Sequence, residues 1–143
     1  MKLEILNDTK NRLPGKRIRE LFEIVVKGEA NAEWKATVNI VFVGDRKMQS
    51  LNKKHRQVNR PTDVLSFNLD RPDVANGAFG EVYISCDTAK RQARAGGVSL
   101  VDEYARLACH GLLHLFGYDH KKPEEALVMR RIENQCLDQL IRV

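Results

Sequence analysis

The chain has 143 residues, 43% of them hydrophobic and 30% charged, with 24 Lys and Arg against 19 Asp and Glu for a formal net charge of +5. That length predicts a single domain, residues 1–143, burying about two-thirds of its unfolded surface around one core. Three scattered cysteines without a C-x-x-C spacing exclude a disulfide scaffold, and no apolar run approaches the roughly 18 residues of a membrane span. The opening MKLEILND also lacks an apolar stretch of signal-peptide length. Together with the reduced cysteines, this makes the expected location the cytoplasm. The basic excess favours an anionic partner such as nucleic acid, though a merely soluble basic surface fits the charge equally well.

In chain order, Leu3 and Ile5 suggest a short first strand, and Ile18, Leu21, Phe22 and Val25 recur at helical spacing between Pro14 and about Lys27. The β-branched run Ala36–Val43 reads as a strand stopped by Gly44-Asp45, followed by a short helix over about Arg46–Lys54 with Met48 and Leu51 inward. Asp63–Phe67 is a strand behind Pro61, Arg71–Gly80 a loop rich in Pro, Gly and Asn, and Glu81–Ser85 a fourth strand. Asp87 is the expected N-cap of a helix ending near Gly96-Gly97. Ser99 and Asp102 resemble a capping box opening a largely apolar helix to Phe116, with Gly117 as its stop, and a last helix runs from Pro123 toward Leu140. Strands followed by helices predict an α+β fold in which the apolar Leu100–Phe116 helix is central.

That helix carries the chemistry. HGLLHLFGYDH, from His110 to His120, holds three of the four histidines. On a helix, His110 and His114 return to within about 40° of each other and lie about 6 Å apart along the axis. Both imidazoles can then face one ion. Gly117 permits a left-handed turn that brings His120 back as a third donor. Three nitrogens with one open position describe a catalytic zinc site rather than a closed structural one. Imidazole preference favours zinc, one ion per chain, and leaves nickel or another divalent ion open. Gly111 stands where an H-E-x-x-H peptidase carries its general base. Glu103, seven residues before His110, is either a partner for an imidazole N–H or a solvated acid of the first turn; Asp119 is either such a partner or a turn residue.

A second stretch, LNKKHRQVNRPTDVLSF from Leu51 to Phe67, sets a basic cluster before a strand. Lys53 and Lys54 read as a solvated face and His55 as an exposed helix-end residue. Arg56 offers a planar cation suited to phosphate oxygens if that strand borders the histidines. HGLLHLFGYDH, this stretch and GEVYIS together resemble the YbeY family of metal-dependent endoribonucleases, with MRRIE (Met129–Glu133) matching the last helix. The likeness runs from about Val38 to Glu133. It implies a four-stranded mixed sheet packed against helices, distantly similar to zinc peptidases. It makes His110, His114 and His120 the zinc ligands and Arg56 the functionally important arginine. It also implies single-stranded ribosomal RNA as substrate, ribosomal particles or ribosome-associated proteins as partners, and a role in rRNA maturation and ribosome quality control. Three positions depart from the family pattern: His55 where an aromatic is usual, Asn59 where Asp is common, and Glu81 where Asp follows Gly80.

The implied activity is zinc-dependent, single-strand-specific RNA cleavage, with the general base unassigned and either water or the RNA 2′-OH as nucleophile. The alternatives are a ribosome assembly factor with a mainly structural zinc and, less well supported, a metallopeptidase. Because Gly117 delivers the third histidine, Gly117→Val, forced into a conformation costing about 1–2 kcal/mol, is expected to weaken metal affinity more than helicity. Metal titration beside circular dichroism checks this.

Overall fold

The computed structural model describes residues 1–141. In chain order these are β1 (Lys2–Asn7), α1 (Gly15–Glu29), β2 (Thr37–Val43), α2 (Asp45–Arg56), β3 (Val64–Asn68), β4 (Ala78–Ser85), α3 (Cys86–Gly96), α4 (Leu100–Leu115) and α5 (Pro123–Ile141). The four strands form one sheet in the order β1-β2-β4-β3. β1 and β4 run parallel to β2, whereas β3 is an antiparallel edge strand on β4. The sheet is therefore mixed and the fold α+β.

Side-chain alternation divides the sheet into two faces. Val38, Ile40 and Phe42 of β2 and Val82 and Ile84 of β4 enter the main core with α1, α3, α4 and α5. Val41 and Val43 point the other way, onto a smaller cluster with Met48 of α2 and Leu65 of β3. The apolar α4 takes the central position because it is covered nearly all round: α1, α3 and α5 flank it, and β3 and β4 lie beneath it. Cys86, Cys109 and Cys136 are free thiols buried in this core.

Two local expectations are corrected. The Arg71–Gly80 loop ends earlier, because β4 begins at Ala78 and pairs Gly80 with Val38 on one side and Asn68 on the other. Glycine stands at 80 for space: a Cβ would lie 2.7 Å from Leu115 Cδ2 and 2.9 Å from the Phe67 carbonyl. Ser85, not Asp87, caps α3, its Oγ accepting from the Thr88 N–H at 3.2 Å. Asp87 instead accepts the first amide of α2, from Asp45 N–H at 2.8 Å. Asp45 in turn accepts from Ser85 and Thr88 hydroxyls at 2.7 and 2.6 Å. Asp87 thus satisfies an amide that α2 leaves open at its first turn, while Asp45 ties the two helix starts together through hydroxyls.

α4 is laid against the edge strand by a close approach. A Cβ at Gly111 would fall inside contact distance of Val82 Cγ1 and 3.1 Å from Ser66 Oγ and Val64 Cγ2. In the space left free, Ser66 Oγ donates to the Gly111 carbonyl at 2.8 Å, and Asn68 Nδ2 donates to the Leu115 carbonyl at 2.9 Å. Gly111→Ala is expected to cost about 1–3 kcal/mol by overpacking and to lower the melting temperature by several degrees. An unchanged melt would show that helix and strand can separate there freely.

Candidate metal centre and its cleft

The end of α4 builds the site. Phe116 is its C-cap and Gly117 follows at φ 99°. The Gly117 N–H donates to the His114 carbonyl at 3.0 Å and the Tyr118 N–H to the Leu113 carbonyl at 3.1 Å. These two bonds make a Schellman stop, which needs the left-handed residue glycine supplies. The reversal brings the Tyr118 carbonyl beside His114 and swings His120 back over the helix. The His120 ring lies nearly parallel to His110, with centroids 5.4 Å apart, and 5.0 Å from His114.

His110, His114 and His120 each offer a donor atom, all within 4.8 Å of one another. The outer nitrogens are occupied. His114 Nδ1 lies 2.8 Å from the Tyr118 carbonyl, and His110 Nδ1 lies 3.0 Å from Glu133 Oε2. A carbonyl can only accept, so His114 carries its proton on Nδ1; the carboxylate holds His110 in the same tautomer. That leaves two Nε2 lone pairs facing each other at 3.1 Å. Two such acceptors repel unless a cation lies between them. Nitrogens bound at about 2.0–2.1 Å around a tetrahedral ion are about 3.3–3.4 Å apart, so the donor set fits a divalent ion. Burial, and then the neighbouring His110 and His120, hold the His114 pKa below the ordinary imidazole value, against the pull of the Tyr118 carbonyl. That favours the neutral, ligating form of the ring.

Arg56, the last residue of α2, reaches the same place from the opposite side. Its Nη2 donates to the Ser66 carbonyl at 3.1 Å and its guanidinium carbon lies 5.2 Å from the Phe67 ring centroid. Arg56, His114, His120 and Lys121 share one cleft of about 620 Å³. His55 is exposed at the helix end, with its ring 4.8 Å from Phe67, and so flanks Arg56 without joining the histidines. Asn59 accepts from Gln49 and Glu81 accepts from the Tyr83 hydroxyl; neither lines the cleft.

Glu103 has neither of its expected roles. It is buried and bonds Arg106 through both oxygens, at 2.9 and 2.8 Å. Seven residues return a side chain to the same helix face but about 10 Å further along the axis, beyond reach of His110. Asp119 is the turn residue. Its Oδ1 accepts the His120 N–H at 2.7 Å, and that bond chiefly holds its carboxyl below the usual range. The carboxylate that does orient an imidazole is Glu133 of α5. Its signal was in the sequence: Met129, Cys136 and Leu140 are the buried stripe of α5, and Glu133 occupies the inward position between them. An acid at that position needs a polar partner.

These features define a class: an α+β protein whose central helix carries a candidate three-histidine metal centre beside an arginine-bearing cleft. The family model described as Endoribonuclease YbeY matches residues 4–141. The chain is 45% identical over 121 residues to Endoribonuclease YbeY of Pelotomaculum thermopropionicum, covering 81% of this chain and 79% of the relative. It is 43% identical over 104 residues to that of Aquifex aeolicus, covering 72% and 69%. The solution structure of a Thermotoga maritima protein matches with a TM-score of 0.66 at 29% identity, over 96% of this chain and 88% of that one. The chain belongs to the endoribonuclease YbeY family, and it is an enzyme of the hydrolytic nuclease class.

Glu133→Gln removes the charge that orients His110 and is expected to weaken metal affinity about 10- to 100-fold with little change in melting temperature. Glu103→Gln should do the reverse, lowering stability with metal affinity retained. Chelator competition beside thermal melts separates the two.

Proposed function

We propose that this protein is a zinc-dependent, single-strand-specific endoribonuclease of rRNA maturation and ribosome quality control, working in the cytoplasm as one domain over residues 1–143. Ribosomal particles or ribosome-associated proteins are its partners, and they supply target choice. The observation that carries the reading is the facing pair of Nε2 atoms at 3.1 Å, one of them on His114, which lines a cleft that also holds a cationic fork.

His110, His114 and His120 would hold the ion, which when bound supplies Lewis acidity toward a phosphoryl oxygen or toward water. Glu133 and the Tyr118 carbonyl keep two of the imidazoles in the ligating tautomer and orientation. Arg56, tethered by one Nη2 bond to the strand, keeps its remaining N–H groups for the scissile phosphate and stabilises charge developing there. Lys121 adds a second cation at the cleft mouth. Attack by the RNA 2′-OH leaves a 2′,3′-cyclic phosphate, whereas attack by water leaves a linear one, so the product end assigns the nucleophile.

The assembly-factor reading with a structural zinc is weaker, because closed structural sites use four protein donors and, among the described residues, three histidines converge here. The peptidase reading is weaker still. Gly111 packs on Val82 and Ser66 without room for a side chain, so no general base can stand beside His110 at that position.

Chelation is expected to abolish RNA cleavage, and zinc to restore it. Arg56→Glu should reduce cleavage about 10²- to 10³-fold with metal content and melting temperature unchanged. Arg56→Lys should recover only part, since it keeps the charge and loses the fork. Near-normal cleavage by Arg56→Glu would remove Arg56 from the mechanism.

A further inference from the structure

The three histidines have a second side. His120 lines the 620 Å³ cleft with Arg56 and also a smaller cavity of about 210 Å³ shared with His110, Arg106, Arg130 and Glu133. The candidate metal centre is therefore a divide between two openings, with arginines on both flanks.

The charges on the smaller side can be apportioned. Arg106 is engaged by both oxygens of Glu103. Glu133 is turned onto His110 Nδ1. Arg130, exposed on α5, has no carboxylate within 4.0 Å among the described residues. A divalent ion at the histidines would outweigh the single Glu133 charge and leave this flank positive as a whole. Size also separates the two openings. The larger falls within the range of about 300–1,000 Å³ typical of small-molecule sites, and the smaller falls below it. On volume alone, the larger has room for a nucleotide with its base and the smaller for a phosphate group.

We propose that Arg130 binds the phosphate adjacent to the scissile one, so that a single RNA strand crosses the histidines from the Arg56 cleft to the Arg130 cavity. This rests on the endoribonuclease reading above and assigns the path of the strand. Arg130 is a substrate-positioning residue: it acts on the neighbouring phosphate and leaves the reacting atoms to the centre.

The test compares Arg130→Gln with Arg131→Gln, which removes the same charge from the next, also exposed, residue that lines neither opening. The first measurement is binding of a short fluorescent oligoribonucleotide, 2′-O-methylated so that its 2′-OH cannot attack, to the zinc-loaded full-length protein across a salt series. The second is kcat and KM of the zinc-loaded protein for the unmodified RNA of the same sequence. For Arg130→Gln, the slope of log affinity against log salt is expected to become shallower by about 0.7, one phosphate contact on a single strand. KM should rise about tenfold, the loss of one charge-assisted hydrogen bond at an exposed site, with kcat nearly unchanged. Arg131→Gln should leave slope and KM as in the wild type. An unchanged slope for Arg130→Gln, or an equal loss in both variants, would overturn the proposal. So would lower zinc content with an unchanged slope, which would make Arg130 a support for Glu133. If the wild type fails to cleave RNA with zinc present, the endoribonuclease reading itself fails, whatever the variants do.

Discussion

The site depends on how closely α4 can lie on the edge of the sheet. Gly111 has no side chain, so the helix backbone settles against Val82 and Val64, near enough for Ser66 and Asn68 to bond its carbonyls at 111 and 115. Those bonds hold the last turns of α4 in register with β3. The same strand receives Arg56 at the Ser66 carbonyl. One residue, Ser66, thus touches both the helix that carries the candidate centre and the arginine of the cleft. A bulkier residue at 111 would push apart the two halves of the cleft.

From that placement the remaining geometry follows by local rules. The Schellman stop at Gly117 turns the chain back and aims the Tyr118 carbonyl at His114. Asp119 steadies the turn through the His120 amide, and the Tyr118 hydroxyl anchors it to Glu29 of α1 at 2.9 Å. α5 then closes over the far side of α4, and its inward stripe delivers Glu133 to His110. Each imidazole of the helical pair is oriented by a group from a different segment. Such cross-bracing limits the freedom of the donors and so would lower the cost of ordering them around an ion.

Two carboxylates on the inner side of the molecule show how position decides role. Glu103 and Glu133 are both shielded from solvent, and both face an α4 side chain. Glu103 meets a guanidinium in its own helix and is neutralised as a packing pair. Glu133 meets an imidazole and becomes part of the centre. Spacing along α4 offered Glu103 as one possible partner for His110, but the axial rise of a helix put it out of range. The contact that matters crosses between helices.

The sequence by itself determined the element order, the apolar α4 and the i, i+4 histidine pair, because these rest on periodicity and on the conformational demands of one glycine. Ile18, Leu21, Phe22 and Val25 on α1 were legible for the same reason, and β2 from its β-branched run. Only the tertiary structure decided that Ala78–Gly80 belongs to β4, that Asp87 caps the start of α2, and that Glu133 rather than Glu103 orients His110. Each of these depends on a partner far along the chain, supplied by strand pairing or helix docking. Local propensity carries no information about which distant group will be within 3 Å, and the chemistry of the centre depends on those groups.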